Sequence, residues 1–131
     1  RAQMADTANY HVFPYLHHEM GLAMAAADLV LCRSGASVLG EFPHFGLPSI
    51  LVPLAYVWRY QKVNADYLAE RGAAVVMDEK VMADTLLSTI QTLLDDPACL
   101  EQMRTAARAL AVPDGALAGA QQLVELAGGA A

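Results

Sequence analysis

Short apolar runs recur along this chain at intervals that leave room for one helix between each pair. Leu29–Cys32, Ser49–Val52 and Ala73–Met77 are four or five residues long, the length and character of a strand buried on both faces. Between the first two, Val38, Leu39, Phe42 and Phe45 fall at helical spacing, and Gly46-Leu47-Pro48 stops that helix with a glycine cap and a proline beyond it. Between the second and third, Tyr60 to Arg71 predicts a helix that Gly72 caps. Parallel strands need such crossovers, whereas antiparallel strands do not. The expectation is therefore an α/β fold, a Rossmann-like doubly wound parallel sheet.

The flanks extend this pattern. Tyr10–Phe13 predicts a short strand ended by Pro14, and His18–Ala26 a short helix closed by Asp28. Beyond the last strand, Met82, Leu86, Leu87, Ile90 and Leu94 form an amphipathic stripe over Val81–Leu94. Asp96-Pro97 restarts a helix with Leu100, Met103, Ala107 and Leu110 on one face. Pro113-Asp114-Gly115 breaks it before a last helix over Ala116–Leu126. Arg1–Asn9 is read as loop, residues 1–127 as one domain, and 128–131 as a disordered tail.

The richest junction is Leu29 to Glu41, where a strand runs through Arg33-Ser34-Gly35-Ala36 into a helix. The first amides of a helix lack intrahelical partners and carry the positive end of its dipole, so such a turn suits an anion. Ser37 and Glu41 are four apart and share one face near that end. A carboxylate one turn below a phosphate cradle can accept hydrogen bonds from a ribose diol. This predicts a nucleoside-diphosphate site with Glu41 on the ribose. In doubly wound sheets ligands sit at the carboxyl ends of the strands, where the loops Pro14–His18, Arg33–Ala36 and Pro53–Tyr60 would meet.

Composition excludes several classes. The net charge of −6 argues against a nucleic-acid surface, which needs clustered lysine and arginine. Hydrophobic residues make up 56% of the chain, yet no uninterrupted apolar run reaches the roughly 18 residues of a spanning helix. Cys32 and Cys99 lack metal or redox spacing, and reduced thiols in a cytosolic protein are expected. His17, His18 and His44 do not follow zinc-ligand spacing, so no metal is expected. The chain opens on Arg1 without a signal peptide, and a part of a longer polypeptide is expected.

Taken in order, Arg33-Ser34-Gly35-Ala36, Glu41, Gly46-Leu47-Pro48, Val52-Pro53, Gln61 and Asn64-Ala65 resemble the donor-binding domain of the MurG family. These are bacterial N-acetylglucosaminyltransferases of the GT-B fold, in glycosyltransferase family 28, that make lipid II for peptidoglycan. The likeness runs over about residues 10 to 110. It implies the C-terminal half of a GT-B enzyme, without its first strand and glycine-rich loop, and UDP-N-acetylglucosamine as donor substrate with no cofactor and no metal. Glu41 would hold the ribose hydroxyls, and the backbone of Ser34, Gly35, Ala36 and Ser37 would approach the diphosphate and sugar. Gln61 and Asn64 would hold the hydroxyls of the N-acetylglucosamine, with Tyr60 standing where the family has a second glutamine. The Tyr15-Leu16-His17 segment would lie against the uracil through its backbone. No catalytic residue falls in this segment, because the general base would belong to an upstream acceptor domain that takes lipid I at the inner face of the cell membrane, with the enzyme peripherally attached.

Alternatives stand beside several of these roles. Arg33 either contacts phosphate or pairs with a nearby carboxylate. Cys32 is read as a strand thiol and not a nucleophile. The aromatic loop of Tyr56, Trp58 and Tyr60 is either a lid over the donor or acceptor, or a loop folded on its own side chains. For the whole, the alternatives are a donor-binding domain or subunit of another family 28 UDP-sugar transferase, or a non-catalytic nucleotide-sugar-binding module.

Overall fold

Three parallel strands carry the architecture, in the order β1 (Val30–Cys32), β2 (Ser49–Leu51), β3 (Ala74–Val76). The structure is a computed structural model describing residues 9–54, 56 and 58–128, apart from the side chains of Trp58 and Arg59. Helix α1 (Met20–Ala26) precedes the sheet. The crossovers are α2 (Val38–Phe45) and α3 (Trp58–Ala69), and α4 (Met82–Leu94), α5 (Pro97–Ala109) and α6 (Gly115–Leu126) follow β3. The ladder outlasts the strands by one step, since Val52 N–H donates to Cys32 O and Met77 N–H to Leu51 O, both at 2.9 Å.

Alternation along β2 separates two cores. Leu51 faces Val38 and Phe42 of α2, Ala65 and Leu68 of α3, and Ala107 of α5. Ile50 and Val52 point the other way, to Met77, Leu93 of α4, and Leu100 and Met103 of α5. The sheet is thus covered on both faces, as its continuous apolar strands require. Complete burial of Ile50 and Leu51 stabilises the fold by about 1.5–3 kcal/mol for each side chain.

Local signals set the element ends. Gly46 adopts the left-handed conformation at φ 60°, ψ 45°. Its N–H donates to Pro43 O at 3.0 Å and Leu47 N–H to Phe42 O at 2.9 Å, which closes α2. At the start of α5, Asp96 accepts from Cys99 N–H at 2.9 Å, with Pro97 in the first turn.

One predicted strand is absent. Tyr10–Phe13 is irregular and exposed. Strand pairing among the described residues involves only β1, β2 and β3, and an extended segment without a ladder partner has nothing to hold it. Two helices start two residues away from expectation, α1 late at Met20 and α3 early at Trp58, and two start one residue away, α4 late at Met82 and α6 early at Gly115. The predictions for residues 1–8 and for the last three residues of the tail lie outside the described residues.

Candidate functional site

The turn between β1 and α2 gathers most of the predicted residues. Among the described residues, the amides of Gly35, Ala36, Ser37 and Val38 find no hydrogen-bond partner, while those of Leu39, Gly40 and Glu41 bond back to Ala36 and Ser37 carbonyls at 2.9–3.2 Å. The Ser37 hydroxyl does not cap the helix. Four unpartnered donors therefore fall at or just before the positive end of α2, the end of a helix that favours a phosphate. A Cβ built on Gly35 meets nothing within 4 Å, so the backbone there is open to close approach.

Glu41 projects from the first turn of α2. It is exposed and forms no ion pair among the described residues. Together with Ser37 it borders two clefts. One, of about 360 Å³, lies between α1 and α2 and includes Met20, Cys32 and Arg33. The other, of about 620 Å³, opens toward His44, Val112 and Gly115. Cys32, half-buried at the end of β1, donates its S–H to Arg33 O at 3.1 Å. Burial, and then the negative charge of Glu41, push this thiol from 9.0 up to about 11, so it stays protonated and is a poor nucleophile at neutral pH.

Gln61 and Asn64 join the turn from α3. Ser34 Oγ donates to Gln61 O at 2.7 Å, and Asn64 Nδ2 donates to Ser34 O at 3.1 Å. Gln61 Oε1 accepts from Leu54 N–H at 3.0 Å. Arg33 takes the carboxylate-pairing alternative: it donates to Val52 O at 3.3 Å and pairs with Glu79. The sequence pattern offered no sign of Glu79, which lies 46 residues away. Leu16 is half-buried and His17 exposed on the loop before α1, and neither borders the two clefts, although Met20 three residues on does. The His17 ring instead sits against Tyr15 with centroids 4.4 Å apart. Tyr56 in the loop and Tyr60 in the first turn of α3 are 82% and 78% exposed, so neither is folded onto the domain and the expected aromatic loop is split by the helix start; the Trp58 side chain is outside the described residues.

The glycosyltransferase family 28 C-terminal domain matches residues 1–123. The chain belongs to that family. Among curated relatives, the UDP-N-acetylglucosamine--N-acetylmuramyl-(pentapeptide) pyrophosphoryl-undecaprenol N-acetylglucosamine transferase of Roseiflexus sp. (strain RS-1) is 46% identical, over 82% of this chain and 28% of its own length. The protein of the same name from Chlorobaculum tepidum is 40% identical, over 96% of this chain and 35% of its own. The crystal structure of Acinetobacter baumannii MurG superposes with a TM-score of 0.77 at 32% identity, covering 95% of this chain and 36% of that one. The chain spans about a third of the length of the curated relatives it matches. A MurG-like family 28 domain with a three-stranded parallel sheet is therefore the frame in which the turn, Glu41 and the α3 amides are placed.

Proposed function

We propose that this domain binds UDP-N-acetylglucosamine at the start of α2, and that the full-length gene product transfers the sugar to lipid I to make lipid II. The carrying observation is that, among the described residues, the Glu41 carboxylate is unpaired and stands one turn below four amides without a partner. The amides would take the diphosphate, and Glu41 would accept from the ribose hydroxyls. Gln61 keeps its Nε2 hydrogens and Asn64 its Oδ1 for the hexose. The Leu16–His17 segment would approach the uracil from the α1 side.

In this reading the C4 hydroxyl of the lipid-linked muramyl sugar attacks C1 of the glucosamine. The new C–O bond forms as the C1–O bond to the diphosphate breaks, the configuration inverts, and UDP leaves. The domain contributes positioning and stabilises charge on the departing diphosphate through oriented amides. The base that removes the hydroxyl proton and the lipid I site belong to the remainder of the enzyme, acting at the inner face of the membrane. No helix among the described residues is long and apolar enough to cross that membrane, which fits a peripheral attachment.

Isothermal titration of UDP-N-acetylglucosamine into the full-length protein tests this. Glu41→Ala should weaken binding about tenfold, the loss of a charge-assisted hydrogen-bond pair. Ser37→Asp should weaken it at least as much by placing a carboxylate beside the diphosphate. Unchanged affinity in both variants removes the site assignment.

A further inference from the structure

Two serines, Ser34 and Ser49, are completely shielded from solvent. They differ in what they touch. Ser49 Oγ has no hydrogen-bond partner among the described residues, whereas Ser34 is tied to α3 twice. Its hydroxyl donates to Gln61 O at 2.7 Å, and its carbonyl accepts from Asn64 Nδ2 at 3.1 Å. The third tie comes from the loop after β2, where Leu54 N–H donates to Gln61 Oε1 at 3.0 Å.

These bonds decide which way two amide side chains face. A backbone N–H can only donate, so the Leu54 bond fixes the oxygen of Gln61 inward and leaves its Nε2 hydrogens for a ligand. Asn64 spends one N–H on Ser34 O, which leaves Oδ1 and one further N–H. Gln61 and Asn64 are three apart on α3, so they work on one face.

We propose that Ser34 is a positioning residue for the donor sugar, bracing helix α3 against the phosphate turn so that Gln61 meets a hexose hydroxyl as donor and Asn64 meets its neighbour as acceptor. This rests on the UDP-sugar reading above. Ser34 Oγ is sealed from solvent and does not touch the ligand. Its effect falls on the sugar, because both of its bonds run to the α3 residues Gln61 and Asn64, whereas the start of α2, which carries Glu41, is closed by its own bonds to the Ala36 and Ser37 carbonyls.

The test is Ser34→Ala in the full-length gene product, titrated with UDP and with UDP-N-acetylglucosamine. The Gln61 carbonyl remains an acceptor for the helix's own i+4 amide, so α3 keeps its acceptor satisfied. The expected result is a UDP Kd within about twofold of wild type and a UDP-sugar Kd raised about five- to tenfold, the scale of one lost buried hydrogen bond. Ser49→Ala, an equally buried serine outside the brace, should change neither Kd. Equal weakening of both ligands, or of neither, overturns the proposal. Wild-type protein that binds neither nucleotide removes the underlying donor reading instead, so the two failures are distinct.

Discussion

The guanidinium of Arg33 crosses the end of β2, donating to the Val52 carbonyl at 3.3 Å on its way to the carboxylate of Glu79 beyond β3. One side chain thereby links the carboxyl ends of all three strands, the edge on which the proposed site is built. Both partners are 40% exposed, so solvent screens the pair and its contribution stays below about 1 kcal/mol. Glu79→Gln should lower the urea-unfolding free energy by less than about 1 kcal/mol, and by less still in high salt. A strut of this kind should also leave UDP affinity within about twofold of wild type, since a neutral amide can still accept from the guanidinium. A tenfold change in UDP binding would instead assign Arg33 to the phosphates.

Gly46 and Arg108 make a second dependence. Gly46 has φ +60°, and a Cβ built there lies 2.5 Å from Arg108 Cγ and 2.6 Å from its Nε. Gly46→Ala therefore meets both a left-handed backbone penalty of about 1–2 kcal/mol and a steric clash with the α5 side chain. Thermal unfolding should show a drop larger than the backbone penalty alone. Adding Arg108→Ala should recover the clash and leave the backbone part, so the double variant should be more stable than Gly46→Ala. If the two substitutions merely add, the contact carries no cost.

What the sequence made legible was periodic or local. The three paired strands, the glycine cap at Gly46 and the Asp96-Pro97 helix start each follow from residues within one turn or one strand. The turn at Ser34 to Ser37 was equally readable, because free amides at a helix start follow from backbone geometry. Tyr10–Phe13 has the right residues for a strand but no ladder partner among the described residues, and partnership is not written in a local run. The Arg33–Glu79 pair and the Leu54–Gln61 bond were illegible for a related reason: they are set by which loops the sheet brings to one edge. The role of Gln61 is the clearest case. The resemblance to the MurG family implied a sugar contact for it, but only the fold reveals that its oxygen already accepts from Leu54 N–H.

Ser49 offers a stability prediction of opposite sign. Its hydroxyl is fully buried in β2 and has no partner among the described residues, and a buried polar group without a hydrogen bond costs about 1–3 kcal/mol in desolvation. Ser49→Ala removes that cost and leaves only a hydroxyl-sized gap. Its unfolding midpoint in urea should hold or rise. A clear fall would mean that the hydroxyl makes a hydrogen bond in solution.

Cys32 links protonation to the site itself. Its thiol is pushed from 9.0 to about 11, first by burial and then by Glu41. The folded state thus holds the proton more tightly than the unfolded chain. The corresponding stability is fully present below pH 9.0 and is lost as the pH rises toward about 11, because the unfolded chain ionises first. In a Cys99→Ser background, the rate of Cys32 alkylation by iodoacetamide should rise with pH around a midpoint near 11. Glu41→Gln should lower that midpoint while leaving it above 9.0, since burial remains the larger cause. Cys32 borders the same cleft as Ser37 and Glu41, so saturating UDP-N-acetylglucosamine should slow the reaction in wild type and have less effect in Glu41→Gln. Alkylation at the pace of a free thiol, indifferent to both Glu41 and the nucleotide, would separate Cys32 from the site and take the carboxylate's neighbourhood with it.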